Sequence, residues 1–323
     1  MLTVRPPTPA LLFDLGRFGL QELIRESVPP ENPEILRFFA GASWRITAGM
    51  KPARKALLLD ELRRCFGVNL RTAENIAREA HDATLQARLE IPLLPRVQDF
   101  SPYLRIFGEL PEGCLLLHPS LVGVELMRAA LSRRYPDLVV FGKRAFPEKG
   151  VGPLQNNAIN RLSLKRMRED QQKLPIQWEE EPEALADHLK AGRRVVAAFD
   201  DRAWNRYEPV SFLGRTALLS PEPWELARSL GRPLLPGTIT RERDKSYRVG
   251  IGAPIAPDLP SYLHHDVEPF LRQHPGAVAM WLAECRRNAT MDDHPFFLDY
   301  ALDGRYRRWT DPERAIDRST PTR

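Results

Sequence analysis

From residue 114 onward, short apolar runs typical of buried strands alternate with segments of helical character. The strand-type runs are CLLLHP (114–119), LVVFGKR (138–144), RVVAAFDD (194–201), PLLPGTITR (233–241) and SYRVGIGAPI (246–255). The helical segments lie at 121–134, 154–173, 182–192, 221–230, 259–273 and 275–288. This alternation predicts an α/β fold with a mainly parallel central sheet flanked by helices.

The first part of the chain predicts helices alone. Leu58, Leu62 and Phe66 recur at helical spacing, and Asn69 can cap a second helix that runs to Leu89. We therefore expect a helical N-terminal portion over 1–95, an α/β core over 96–290 and a C-terminal extension over 291–323, integrated into one domain. The last dozen residues are polar and aperiodic, so we expect them to be mobile.

Composition excludes several classes of protein. With 323 residues, of which 43% are hydrophobic and 28% charged, the chain is neither collagen-like nor wholly disordered. The net charge of +5 suits phosphate groups or an anionic membrane, and it equally suits ordinary solvation. Cys65, Cys114 and Cys285 lack the spacing of a disulfide framework or a zinc site, which indicates a reducing compartment. Prolines and charged residues interrupt the first thirty positions, so we expect neither a signal peptide nor a membrane span.

Common enzyme motifs are missing from the sequence. There is no G-x-S-x-G, no phosphate loop that ends in G-K-[ST] and no H-E-x-x-H. The GIG at 250–252 precedes Ala-Pro-Ile, which cannot open the helix that a dinucleotide site needs. No zinc-finger or RNA-binding motif is present either, so we do not expect a nucleic acid partner.

The segment CLLLHPSLVGVE (114–125) places a histidine where a strand ends. Open α/β sheets bind ligands at the carboxyl ends of their strands, and His118 lies at such an end. If Ser120 caps the next helix, the free N–H groups of its first turn can stabilise an oxyanion. If the turn folds back, Glu125 can hold the imidazole in one tautomer, with His118 as a general base. The alternative interpretation is a loop histidine beside a solvated carboxylate.

Several blocks resemble one known family in order and spacing, from about Arg54 to Arg287. They are ALLLDELRRCFGVNLRTAENIAREAHDATLQARLE, the strand with His118, AGRRVVAAFDD, and PVSFLGRTALLSPEPWELARSLGRPLLPGTITRERDKSYRVGIGAPI, with FLRQHPGAVAMWLAECRR at the end. In this order the chain resembles the lysophospholipid acyltransferase superfamily, in its bacterial lauroyl/myristoyl branch that acylates lipid A and related glycolipids.

The resemblance implies an acyltransferase in which His118 and Glu125 are the catalytic pair. Such an enzyme moves a fatty acyl chain from a thioester of acyl carrier protein or coenzyme A to a hydroxyl or amine, and it needs no metal or other cofactor. The family's carboxylate stands five positions after the histidine, where this chain has Gly123. A two-residue insertion in the turn can restore the geometry around Glu125. Lost activity is the alternative, in which the protein binds lipids or acyl chains on the same scaffold without catalysis.

The resemblance also implies substrate-binding residues, because a phosphate on the donor or acceptor needs charged partners. The matching candidates are Lys143, Arg144, Arg215 and Arg241, with Gly214 in a turn of close approach and Asp200 and Asp201 at a strand end. As isolated residues, the basic candidates are equally interpreted as surface charges and the aspartates as caps.

We expect a cytoplasmic protein that lies, if anywhere, at the inner face of the cytoplasmic membrane. Leu11, Leu12, Phe13, Phe18 and Leu20 can make weak contact with an anionic membrane, or can pack on the core instead. The basic helix over 154–173 can receive an acidic carrier protein, or it can simply be a solvated face.

Overall fold

The computed structural model describes residues 18–19, 22–29, 34, 52–142, 162, 165–166, 169–170, 172–201, 203–255, 258–288, 296–300 and 316–317. The helices include α1 (Pro52–Phe66), α2 (Leu70–Glu90), α3 (Val124–Arg134), α4 (Ala184–Lys190), α5 (Glu222–Ser229), α6 (Leu259–Tyr262), α7 (Glu268–Gln273) and α8 (Pro275–Asn288). The strands include β1 (Leu104–Phe107), β2 (Leu115–His118), β3 (Val139–Phe141), β4 (Gln177–Glu179), β5 (Val195–Ala198), β6 (Arg206–Phe212), β7 (Arg215–Leu219), β8 (Leu234–Arg241), β9 (Tyr247–Ile251) and β10 (Ile316–Asp317).

The two predicted N-terminal helices are present as α1 and α2. Asn69 caps α2 as expected, because its side-chain oxygen accepts a hydrogen bond from the Thr72 N–H at 2.9 Å. Both helices pack against α8 through small and aliphatic side chains. Leu58, Leu62, Ala73, Ala77, Ala80, Ala279, Met280 and Ala283 form this cluster. The two described helices of the N-terminal portion thereby pack against α8 of the α/β core.

The central sheet confirms the α/β prediction. Its seven strands have the order β1-β9-β8-β2-β5-β3-β4, and every neighbouring pair is parallel except β8 and β9. All four residues of β2 and of β5 are buried, as expected for central strands of a sheet with both faces covered. All five strand-type runs of the sequence form strands of this sheet. The carboxyl ends of β2, β5 and β8 consequently meet at one edge.

A second, smaller sheet contains the hairpin β6–β7, which the sequence pattern does not predict. Leu213 (φ 52°) and Gly214 (φ 73°) connect its strands in a two-residue turn, and both take positive φ as such turns require. A Cβ atom built at Gly214 meets nothing within 4 Å, so the positive φ, and not contact with neighbouring protein atoms, is what favours glycine here. Gly214 serves the backbone conformation of the hairpin.

The predicted helix over 259–273 is present, with a wider π turn (Leu263–Val267) between α6 and α7. Pro269 explains the widening, because its ring nitrogen cannot donate a hydrogen bond to the preceding turn. Among the described helices, none is both long enough and apolar enough to cross a membrane. Outside the described residues lie most of the predicted helix over 154–173, the last dozen residues apart from Ile316 and Asp317 of β10, and Leu11, Leu12, Phe13 and Leu20.

Candidate active site

His118 lies at the carboxyl end of β2, at the centre of the sheet, and is 1% exposed. Its ring Nδ1 is 2.8 Å from the carbonyl oxygen of Pro119. Because a carbonyl oxygen only accepts hydrogen bonds, Nδ1 must bear the ring proton, and Nε2 presents a lone pair. Nε2 is buried and has no hydrogen-bond partner. The local backbone therefore fixes the tautomer that a general base needs.

The surroundings of His118 keep its imidazole neutral. Burial is the main cause, and the positive charge of Arg128 adds to it, so the pKa falls from 6.5 to about 3. Arg128 projects from α3, is itself buried, and lies with its guanidinium 5.4 Å from the ring centre of Trp178. At neutral pH the histidine is therefore an uncharged hydrogen-bond acceptor at Nε2.

Ser120 and Asp200 link the ends of β2 and β5. The Ser120 N–H lies 3.1 Å and 3.2 Å from the two carboxylate oxygens of Asp200, and the Ser120 hydroxyl donates to Oδ1 at 3.1 Å. Asp200 is 9% exposed, and this burial raises its pKa from 3.8 to about 7. The predicted helix cap at Ser120 is wrong, because α3 begins only at Val124. Its hydrogen bonds hold the segment after His118 in place.

Glu125 bonds to Arg128. It makes no hydrogen bond to His118, although the predicted catalytic pair requires one. The Arg128 guanidinium donates to Glu125 Oε1 at 3.3 Å, within the first turns of α3. Glu125 Oε2 is buried and has no hydrogen-bond partner. Arg128 is a residue that the sequence analysis missed. The available signal was an arginine three positions after Glu125, inside the otherwise apolar stretch LMRAAL.

Gly123, five positions after His118, has a backbone conformation and surroundings that disfavour any side chain. Its φ is 88°, and a Cβ atom there would lie 2.7 Å from the Tyr247 ring and 3.1 Å from the Ile239 side chain. A side chain five positions after His118 therefore meets both backbone strain and a steric clash. The first carboxylate after His118 is Glu125, in the first turn of α3.

A cavity of about 270 Å³ lies beside this group. Ala87 and Ile91 of α2 form one wall, Met280 and Trp281 of α8 form another, and the segment 120–126 closes the third side. Most of the lining is apolar, and its polar members are Ser120, Glu125, Thr84 and Glu90. The cavity can thus hold an apolar chain with its polar end near the carboxyl end of β2.

Of the two adjacent aspartates, only Asp200 is part of the group around His118. Asp201 closes a turn, because its Oδ1 accepts a hydrogen bond from the Ala203 N–H at 2.8 Å. Its Oδ2 lies against Gly142, where a Cβ atom would be only 2.4 Å away. For Asp201 the structure therefore favours the capping role over substrate contact.

The two basic candidates that the structure describes, Arg241 and Arg215, are bonded outside the group around His118. Arg241 bonds to Asp82 at 3.2 Å and to Gln86, both on α2. Lys143 and Arg144 lie outside the described residues.

Arg215 is the centre of a separate ion-pair cluster. It donates to Glu61 at 2.8 Å and to both carboxylate oxygens of Asp299, and its guanidinium lies 3.8 Å from the Phe297 ring centre. The guanidinium of Arg215 is thus engaged in structural contacts with α1 and residues 296–300, and its expected phosphate contact stays a prediction.

No protein-family model matches this chain, and no curated protein sequence matches it significantly. The resemblance to acyltransferases stays a prediction that rests on the order and spacing of sequence blocks. Within the described residues, no group of three or more histidine, cysteine, aspartate or glutamate side chains is arranged to hold a metal ion.

Proposed function

We propose that the protein is an acyltransferase that moves a fatty acyl chain from an acyl thioester to a hydroxyl or amine acceptor. The donor is a thioester of acyl carrier protein or coenzyme A, and the acceptor is a lipid, glycolipid or small molecule. The observation that supports this most is the tautomer of His118, whose Nε2 bears no proton and no hydrogen bond because Pro119 fixes the proton on Nδ1. The apolar cavity lined by the segment 120–126, which follows His118 in the chain, suits an acyl chain.

In the proposed reaction, His118 Nε2 takes the proton of the acceptor hydroxyl while the hydroxyl oxygen attacks the thioester carbonyl carbon. The carbon–sulfur bond then breaks, and the proton passes from the imidazolium to the departing thiolate. The products are an ester and a free thiol, and the residues return to their starting state. This step needs no oxidant and no metal.

Glu125 has an indirect role in this mechanism. A protonated His118 is disfavoured by the nearby guanidinium of Arg128, and the Glu125 carboxylate offsets that charge through its ion pair. Glu125 is therefore a positioning and charge-balancing residue in the proposal, whereas His118 touches the reacting atoms. Asp200 holds the intervening segment through Ser120.

A second candidate is a non-catalytic lipid or acyl-chain binding protein on the same scaffold. The observation that favours it is the burial of His118, whose Nε2 has no accessible surface and whose pKa is about 3. Release of free thiol from an acyl thioester separates the two functions, because a binding protein leaves the thioester intact.

The acceptor can be identified by mass spectrometry of lipid and small-molecule extracts from cells with and without the protein. The proposal predicts an acylated species that is missing when the protein is missing and returns with the wild-type chain. It also predicts that a His118→Gln chain does not restore the species, whereas His264→Gln, at an exposed histidine of the π turn, does. Identical extracts from both cell types would count against the acyltransferase. We propose a cytoplasmic location with reversible contact to the inner face of the membrane.

A further inference from the structure

Three arginines line a cavity of about 400 Å³ at the β1 end of the sheet. Arg105 lies on β1, Arg248 on β9, and Arg243 in the turn between β8 and β9. Within the described part of the chain, none of the three forms an ion pair. The hairpin turn and the two strands thus present three positive charges to one cavity.

The arrangement of Arg105 and Arg248 is unfavourable for folding alone. The two residues are direct partners in the parallel pair of β1 and β9, so their side chains leave the sheet on the same face. Like charges placed directly opposite each other destabilise a sheet. Arg248 also lies over the ring of Phe107 at 4.4 Å, and Phe107 is 46% exposed. A bound anion would offset the repulsion.

Two acidic residues, Glu242 and Asp244, also line this cavity. The Asp244 carboxylate is engaged in its own turn, where Oδ1 accepts hydrogen bonds from the Ser246 N–H at 2.9 Å and the Ser246 hydroxyl at 2.6 Å. The positive charges of the cavity therefore outnumber the negative ones, and one of the negative groups is already hydrogen-bonded.

The arginine cavity lies at the same end of the sheet as His118, but Arg105 and Arg248 leave the sheet on the opposite face, because an offset of three residues reverses the side-chain direction. A ligand that reaches both sites must therefore pass around the turn between β8 and β9. In the sheet, β1 lies three strand spacings from β2. The pairings of β8 with β2 and with β9 place Arg248 three residues further along the direction of β8 than His118. With ~4.8 Å between strands and ~3.3 Å per residue, the backbone of Arg105 lies roughly 17 Å from that of His118, and the backbone of Arg248 roughly 14 Å. An extended ligand is needed to span that distance.

A third cavity, of about 470 Å³, lies between the arginine cavity and the apolar one. It shares Val122 with the apolar cavity, and it shares Glu242 and Arg243 with the arginine cavity. Its lining contains both acidic and basic side chains, so it suits a neutral, hydrogen-bonding chain. The three cavities form a series that is apolar, then mixed, then basic.

We infer that the arginine cavity binds the phosphate group of the acyl donor, at the far end of its pantetheine arm. This inference rests on the proposed function, and it assigns the acyl chain to the apolar cavity and the amide-containing arm to the middle one. Arginine suits the role because its planar guanidinium matches phosphate oxygens with paired donors. The donor is thus recognised at Arg105, Arg243 and Arg248, and not at Arg215 or Arg241.

The test uses two ligands that differ only in the phosphate, S-dodecyl-pantetheine and its 4′-phosphate. Both are thioethers, which cannot be transferred or hydrolysed, so binding is measured by calorimetry without any turnover. We expect the wild-type protein to bind the phosphorylated ligand about tenfold more tightly. The double variant Arg105→Gln/Arg248→Gln should lose this advantage and bind the unphosphorylated ligand as the wild type does.

The matched control is Arg63→Gln/Arg71→Gln, which removes two exposed charges near the turn between α1 and α2. It should keep the phosphate advantage. The melting temperature of the Arg105→Gln/Arg248→Gln protein should be equal to or above that of the wild type, since a like-charge pair is removed. An equal phosphate advantage in wild type and double variant would overturn the inference, as would equal wild-type affinity for both ligands.

Two further outcomes separate this inference from the proposed function. If vesicles of phosphatidic acid and phosphatidylcholine capture the protein through these arginines while the phosphorylated thioether gains nothing, the cavity takes a lipid head group and the inference is wrong. If the arginines give the phosphate advantage but no acyl thioester is consumed, the binding site stands and the acyltransferase function fails.

Discussion

Replacing Asp200 with asparagine should make the protein more stable than the wild type at about pH 8 and change its stability little at about pH 4. In the fold the pKa of Asp200 is raised from 3.8 to about 7 by burial. A raised carboxyl pKa means that the native state binds the proton more tightly than the unfolded state does. The free energy of unfolding therefore falls as the pH rises from 3.8 to about 7. At about 1.4 kcal/mol per pKa unit, the loss reaches about 4 kcal/mol. Asparagine cannot ionise and can still accept the Ser120 N–H.

His118 changes the stability with pH in the opposite direction to Asp200. Its pKa is lowered from 6.5 to about 3, so the stability it contributes is fully present above pH 6.5 and is lost as pH falls toward 3. Between about pH 4 and 6.5 the slopes of His118 and Asp200 nearly cancel in the wild type. In Asp200→Asn the slope of His118 is no longer masked, and stability should fall steeply as the pH drops below 6.5.

The measurement is chemical unfolding followed by tryptophan fluorescence and circular dichroism, at several values from about pH 4 to 8. Asp258→Asn is the matched control, because Asp258 is a partly exposed helix cap whose pKa is lowered by its hydrogen bonds to Ser261, and asparagine is an equally good cap. That variant should follow the wild-type pH curve closely. Parallel stability curves for wild type and Asp200→Asn would refute the argument that Asp200 is held protonated by burial.

Three further variants test other parts of the site and its support. Glu125→Gln should slow thiol release strongly, because the buried guanidinium beside it loses its counter-charge, whereas Asp137→Asn should not; a reversed order would contradict the role of Glu125. Gly123→Ala should cost roughly 2–4 kcal/mol of stability by chemical unfolding, against about 1 kcal/mol for Gly192→Ala, where φ is positive but space is open. Arg215→Gln should lower stability by about 3–5 kcal/mol and leave the Michaelis constants unchanged, and a raised constant with intact stability would return Arg215 to the substrate site.

The elements of the central sheet could be predicted because local patterns determine them. Short apolar runs bounded by turns gave β2, β3, β5, β8 and β9, and helical spacing with the Asn69 cap gave α1 and α2. The hairpin β6–β7 could not be predicted, because RYEPVSF contains a proline and charged residues. Its turn also places Leu213 at positive φ, which a leucine rarely adopts. Contacts of the hairpin with distant parts of the chain override these preferences.

The position of His118 could be predicted, and the detailed site could not. A histidine that ends a buried parallel strand must lie at the sheet edge, whatever its neighbours are. The start of α3 depends on the packing of Gly123 against Tyr247, which is 124 residues away in the chain. The partners of Arg215, Glu61 and Asp299, are 154 and 84 residues away, so no local pattern distinguishes an ion-pair cluster from a phosphate site.

The most direct test of the account is the rate of thiol release from lauroyl-coenzyme A and lauroyl carrier protein, with a cell lipid extract as the acceptor. The account predicts release by the wild-type protein, with an acylated product found by mass spectrometry in equal amount. It predicts that His118→Gln is slower by about two orders of magnitude or more with its circular dichroism unchanged, and that His264→Gln keeps the wild-type rate. No thiol release by the wild type, or an equal rate in His118→Gln, would contradict the proposed mechanism.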